Sequence, residues 1–552
     1  MMRRCVRSLS AIAFLAWAAV FMSAGGDTLQ IKKDDIVGAQ RLIALPFTQI
    51  ERDSMRQDLI DNLQGYLKLR GVAIANSVPP AILFNPIPVG LKLETKERGF
   101  AVSKARKLEV PANLEELAFW PVRDLAELIR TKKITSTQLT KMYIERLKKY
   151  GPTLHCVITL TEERALEHAR RADEEIAKGK YRGLLHGIPY GAKDLLAVKG
   201  YKTTWGAMPY KDQVIDEDAT VIRKLDEAGA VLVAKLSMGA LAWGDVWYGG
   251  MTRNPWDPEQ GSSGSSAGSA SATSAGLVAF AIGTETWGSI VSPSTRCGTT
   301  GLRPTYGRVS RTGAMALSWS MDKIGPICRT VEDCAIVFNA IRGKDGVDQT
   351  LVDAPFNYDP KVDLKKLRIG YLKKLFDADY DNKANDAATL AKLRELGAEL
   401  VPVELPDYPV DAIGFILSAE AAAAFDDLTR SGRDSLMVRQ TRDAWPNVFR
   451  ASRFIPAVEY IQANRLRYLI IQDMQKLDVD VYLSPSFGGS NLLLTNLTGH
   501  PCVVLPNGFD KKGSPTSVTF MGRLFGEATL LAVAKTYQDA TDFHLKHPPL
   551  FK

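Results

Sequence analysis

The side chains in this sequence best suited to do chemistry are two serines and one lysine. Ser289 closes the run Gly283-Thr284-Glu285-Thr286-Trp287-Gly288-Ser289, which follows an apolar stretch from Leu277 to Ile282. A strand ending in a turn with glycine beside serine exposes successive backbone N–H groups to whatever the serine attacks. Shielded from water, one such donor stabilises a tetrahedral oxyanion by about 3 kcal/mol. Ser265 lies upstream in GSSGSSAGSASATSAG, Gly261 to Gly276, where every residue is Gly, Ser, Ala or Thr. Lys193 ends the stretch His186-Gly187-Ile188-Pro189-Tyr190-Gly191-Ala192-Lys193-Asp194. A lysine there serves as a base if burial disfavours its charged form. On the residues alone, a surface or salt-bridged Lys193 is an equally good reading.

These residues need elements to hold them. Ile188 to Ala192 and Val231 to Ala234 read as buried strands. Helices are expected near Leu125 to Ile129 and from about Thr137 to Lys149, the second preceded by Thr135 with Gln138 at capping-box spacing. Helix and strand in alternation predict an α/β sheet covered by helices. Composition alone would make 261–276 a flexible linker. Its flanks, the rigid Asn254-Pro255-Trp256-Asp257-Pro258 and the core strand Leu277 to Ile282, instead predict a turn and a small-residue helix packed close to the sheet. Gly264-Ser265-Ser266-Ala267-Gly268 also matches the GxSxG elbow, which needs a strand directly before it and a later acid and histidine. The preceding residues read as no strand, so a Ser-His-Asp triad is not expected. Upstream, Thr48 with Glu51, then Met55, Leu59, Leu63, Tyr66 and Leu67, predict one amphipathic helix of about five turns. The stretch Val78-Pro79-Pro80 through Pro86 and Pro88 cannot be regular helix and is expected to run extended over the next domain.

Taken together, these segments resemble the amidase signature family of serine hydrolases. Matching blocks are Gly264 to Ser269, Gly283 to Ser289, His186 to Asp194, Cys297 to Thr305, Tyr306 to Ser310, Asp322 to Pro326 and Asn496 to Pro501, and the similarity runs from about Leu114 to Phe543. The resemblance implies that family's fold, a central mixed β-sheet covered by helices, here with an N-terminal helical extension. It also implies a triad of Ser289 as nucleophile, Ser265 as bridging serine after a cis peptide bond, and Lys193 as base. The spacing of twenty-four residues between the serines is the family's own and selects Ser265 over Ser266. By the same resemblance Thr286, Trp287, Gly288 and Ser289 supply the oxyanion donors, and Ala242 either lines the pocket or is a plain core alanine. Three departures stand out: Glu285 for the family's Asp, Trp287 for Gly, and Val291 for Arg. Ala267 for Gly is milder. In the variable region, about 345–480, the stretch Phe449 to Tyr468 carries Arg450, Arg453, Arg465 and Arg467. These either attract an acidic substrate or form a solvated helix face.

The function implied is an amidohydrolase cleaving carboxylic amide C–N bonds of a small-molecule substrate. One alternative is the glutamine-hydrolysing A-type subunit of a tRNA-dependent amidotransferase. Another, of a different class, is an inactive binding protein on the same scaffold. The layout expected is a signal peptide over 1–24, a helical and Pro-rich extension over 27–112, and a catalytic domain over 113–547.

Composition is consistent with an enzyme of this size. The 552 residues are 45% hydrophobic and 24% charged, which excludes collagen-like, disordered and multi-span membrane classes. The +8 from 70 basic and 62 acidic residues is too thin for a nucleic-acid partner. Arg3, Arg4 and Arg7 precede an apolar run, Ala11 to Met22, followed by small residues. A bilayer span needs about twenty apolar residues, so this pattern fits a secretory signal cleaved after about Ala24. Periplasmic or secreted localisation is then expected, with no stable membrane association after cleavage; an uncleaved anchor is the alternative. Without the leader's three arginines the excess is +5. Cys156, Cys297, Cys328, Cys334 and Cys502 are odd in number and hold no CxxC, so buried free thiols are expected, with a Cys328–Cys334 pair left open. The six histidines hold no HExxH, and neither metal nor cofactor is expected. Oligomeric state stays open, a homodimer included.

Overall fold

The short apolar runs become strands of one eleven-stranded mixed sheet in the computed structural model, which describes residues 31–551; the stretch read as a signal lies outside them. Its strands are β1 (Val157–Leu160), β2 (Pro189–Lys193), β3 (Val231–Leu236), β4 (Phe280–Glu285), β5 (Thr300–Arg303), β6 (Lys323–Cys328), β7 (Ile369–Tyr371), β8 (Leu400–Pro402), β9 (Val481–Pro485), β10 (Cys502–Phe509) and β11 (Pro515–Gly522). In space they run β1-β3-β2-β4-β6-β5-β10-β11-β9-β7-β8. The β3-β2-β4 and β9-β7-β8 triplets are parallel, and the pairings between and beside them are antiparallel. Strands β2, β3 and β4 are buried at every position, as expected of parallel strands covered on both faces.

Helices that bear on the site are α3 (Ser136–Leu154), α4 (Ala267–Ser274), α5 (Val291–Cys297), α6 (Val331–Ile341), α7 (Phe415–Ala424), α8 (Ala457–Met474) and α9 (Asn491–Leu497), following α1 (Lys33–Ile43) and α2 (Gln49–Arg70) in the lead-in. The Thr135 capping box forms as read and opens α3. Helix α4 is the small-residue tract, buried throughout. A Cβ on Gly268 would stand 2.5 Å from both the Cys156 carbonyl oxygen and the Ser237 nitrogen, so glycine is what lets this helix reach the sheet. One expectation about the tract's entry is overturned. Asp257–Gly261 does form a strand, paired with Arg253–Asn254 in a two-stranded ribbon. Prolines and charges are tolerated there because the ribbon lies apart from the main sheet.

The chain divides between Val78 and Pro79, so the Pro-rich part of the 27–112 extension belongs to the unit that carries the sheet. In the first unit the Thr48–Glu51 capping box opens α2, and no residue of that helix is buried. Helix α1 before it is additional to the single helix read from the sequence. Among the described residues no helix is long and apolar enough to cross a membrane.

Candidate active site

Strand β2 ends at Lys193, whose side chain is completely buried. Its Nζ lies 2.8 Å from Ser265 Oγ, 2.8 Å from Thr284 Oγ1 and 3.1 Å from Ser266 Oγ. No carboxylate pairs with it among the described residues. The adjacent Asp194, which could have done so, faces the other way and binds Lys235 Nζ at 2.8 Å. Burial therefore pushes the Lys193 ammonium down to about 7, with the more distant Asp322 and Glu285 carboxylates acting weakly against it.

The two neighbouring serines are not equivalent. Ser266 Oγ donates to the Thr284 carbonyl at 3.0 Å and accepts the Thr284 N–H at 3.1 Å, which ties α4 to β4. Ser265 follows a cis peptide bond from Gly264 and turns its hydroxyl to Lys193. The Ser266 N–H donates to the Ser289 carbonyl at 3.2 Å, so the two serine-bearing segments are joined through their backbones.

Beyond β4 the chain turns sharply. Gly288 has φ +81°, a conformation that favours glycine. Thr286 Oγ1 donates to Asp322 Oδ1 at 2.6 Å, and Asp322 Oδ2 accepts the N–H groups of Leu317 (2.8 Å) and Ser318 (3.0 Å). Asp322 thus fastens the turn to the 317–322 loop. Burial raises the Asp322 carboxyl against these bonds, which lower it. Neither Thr284 nor Asp322 was singled out as a site residue from sequence, although Asp322 opens a block matched to the family.

The departures at Glu285 and Val291 form one arrangement. Glu285 Oε2 accepts the N–H groups of Ile290 (2.8 Å) and Val291 (2.9 Å) at the start of α5, while Oε1 meets Arg303 at 2.7 Å and Asn496 Nδ2 at 2.9 Å. The Val291 side chain is buried in apolar packing, and the cation facing Glu285 comes from β5. Burial alone would raise the Glu285 carboxyl; Arg303 and the N–H donors outweigh it and hold it down at about 2. Glu285→Gln leaves Arg303 buried and unpaired, and should destabilise the fold by about 3–5 kcal/mol, read as a lower urea midpoint.

Ser289 opens into a cavity of about 250 Å³ walled by Ala242, Trp243, Leu317, Leu417, Trp445 and Leu492. Among the described residues no charged side chain and no histidine lines it. Ala242 is a wall residue, held at φ +62°. Trp287, 48% exposed, stands at the mouth rather than filling the interior. All five described cysteines are free and buried, Cys328 and Cys334 included. The Phe449 to Tyr468 stretch is two helices, Trp445–Ser452 and α8, broken before Pro456. Its arginines do not share one face: Arg450 pairs with Asp434, Arg453 with Asp426, Arg465 is exposed and Arg467 is buried.

The family described as Amidase matches residues 138–494 of this chain. The A-type subunit of glutamyl-tRNA(Gln) amidotransferase from Moorella thermoacetica is 35% identical over 485 residues, 79% of this chain and 99% of that protein. Its counterpart of the same name in Coxiella burnetii is 33% identical over 479 residues, 78% and 99% of the two chains. Among solved structures, the peptide amidase of Stenotrophomonas maltophilia superposes with a TM-score of 0.70 at 29% identity, covering 79% of this chain and all of the other.

Proposed function

We propose, from the fact that this chain belongs to the amidase signature family of enzymes acting on amide C–N bonds, that Ser289 is its nucleophile, Ser265 its proton relay and Lys193 its base. The observation that carries this is the buried, carboxylate-free Lys193 at 2.8 Å from Ser265 Oγ. Neutral Lys193 takes the Ser265 proton, and Ser265 takes that of Ser289 as Ser289 attacks the amide carbonyl. The N–H groups of the 286–289 turn hold the oxyanion. The relay then reverses, protonates the leaving amine and breaks the C–N bond. Water, deprotonated by the same relay, hydrolyses the acyl-enzyme to a carboxylate and frees Ser289.

For the substrate, the sequence relatives support a glutamine-hydrolysing A-type amidotransferase subunit, working with partner subunits, better than a generic amidase. A second reading, a free-standing amidase taking a neutral acyl group, is favoured by the cavity. Its lining offers no charge to meet the ammonium and carboxylate of glutamine.

The full chain assayed on glutamine, with and without charged tRNA and partner subunits, tests this beside neutral aliphatic, aromatic and peptide amides. Ammonia release from glutamine supports the first reading. Turnover of neutral amides with glutamine inert supports the second. No turnover, together with no labelling by a serine-directed fluorophosphonate, leaves the inactive binding protein.

A further inference from the structure

Arg467 on α8 is 1% exposed and forms no ion pair among the described residues. Its guanidinium donates to the Leu497 carbonyl and, at 2.8 Å each, to Ser320 Oγ and the Ser320 carbonyl. Both contacts lead to the nucleophile turn. On one side Glu420 of α7 accepts from Ser320 Oγ (2.6 Å), the Ser320 N–H (3.0 Å) and Ser318 Oγ (2.7 Å), and the Ser318 N–H is held by Asp322, the partner of Thr286. On the other, Leu497 follows Asn496, which holds the Glu285 carboxylate that receives the Ile290 and Val291 N–H groups. One buried cation thus braces the turn before and after Ser289.

What covers that cation comes from the Pro-rich lead-in. The guanidinium carbon lies 3.6 Å from the centroid of the Phe84 ring, which also meets Tyr306 edge-on at 5.0 Å. The segment is seated on both sides of this contact. Pro86 and Pro88 are buried, and the Val89 N–H donates to Gln472 of α8 at 3.2 Å.

We infer that Phe84 is a positioning residue for the reaction, its ring completing the environment of Arg467 and so fixing the turn that carries Ser289 and its oxyanion donors. The inference rests on the proposed Ser289 acyl-enzyme. A desolvated cation–π contact holds the guanidinium in place, and a turn aligned only for the transition state affects kcat more than KM.

The test measures two things on the full chain: the rate of Ser289 labelling by a fluorophosphonate, and kcat and KM on whichever amide wild type cleaves. Phe84→Leu keeps an apolar side chain but loses the ring. It should slow labelling and kcat by roughly 5- to 20-fold with KM within about twofold. Phe84→Trp should restore both rates to within about threefold of wild type, and Ile82→Ala, at a residue 91% exposed on the same segment, should change neither. Phe84→Met takes the place of Phe84→Leu if the latter does not fold. Wild-type rates in the ring-less variant would overturn the inference, as would a loss that Phe84→Trp does not recover or that Ile82→Ala reproduces. A wild-type chain that is not labelled, or a Ser289→Ala chain that still is, would sink the acyl-enzyme reading instead.

Discussion

Ser289→Ala should lower kcat/KM for the chain's amide substrate by a factor on the order of 10⁴ to 10⁶ and abolish fluorophosphonate labelling, with the thermal midpoint unchanged within a few degrees. The size follows from the proposed triad, in which nucleophile, relay and base act as a unit. Without the Ser289 hydroxyl, Lys193 and Ser265 have no proton to pass on, and only binding and the oxyanion donors remain. The fold should tolerate the change because the bonds that define the turn do not use the Ser289 side chain. Gly288 supplies the φ, Thr286 holds Asp322, and the Ser289 carbonyl accepts the Ser266 N–H. The outcome to set against it is Ser265→Ala. That variant keeps the nucleophile but cuts the link to Lys193, so slow labelling should survive while amide turnover falls. Equal labelling of wild type and Ser289→Ala would remove Ser289 from the chemistry altogether.

Much of this site could be read along the chain because it is local in sequence. The Gly283 to Ser289 turn, the small-residue helix and the strand ending in Lys193 each lie within one short segment, and the flanks of each set its burial. Lys193 shows where such reading stops. Along the chain Asp194 is its neighbour and a salt bridge an equal reading; in space Lys235, 41 positions further on, occupies that carboxylate. Only the alignment of β2 beside β3 decides it, and strand registry is a long-range property. Arg467 is similar. With Arg450, Arg453 and Arg465 in one stretch it reads as part of a solvated face, but the break before Pro456 and the burial of one side of α8 separate their fates. Asp257–Gly261 is not legible as a strand because a peripheral ribbon lacks the apolar alternation that marks strands of a core. Helix α2 is legible from its capping box, although the apolar stripe read on it is not buried, whereas α1, which opens after Lys32 rather than after a Ser, Thr, Asp or Asn, is not legible.

Lys193 gives the second large effect, and its sign can be worked out. As the proposed base Lys193 must be neutral, and burial brings its loss of charge to about pH 7. Turnover should therefore rise about tenfold per pH unit below 6 and flatten above about 8, following one ionisation. Asp322 and Glu285 favour the protonated lysine, so Asp322→Asn should move the inflection to lower pH. Because the same carboxylate anchors Thr286, that variant's plateau should also fall, and the two changes can be read separately from one profile. Lys193→Ala should cost on the order of 10²- to 10⁴-fold at pH 8 and lose the inflection near 7. Lys193→Arg separates base from cation. A guanidinium keeps the positive charge but does not give up its proton in a protein, so it can only stand in the site, not accept from Ser265. If the lysine acts as a base, the arginine variant should be as slow as the alanine one across the whole pH range. If it retained a large fraction of wild-type turnover, Lys193 would be serving as a fixed charge that positions Ser265, and the proton would have to leave by another route.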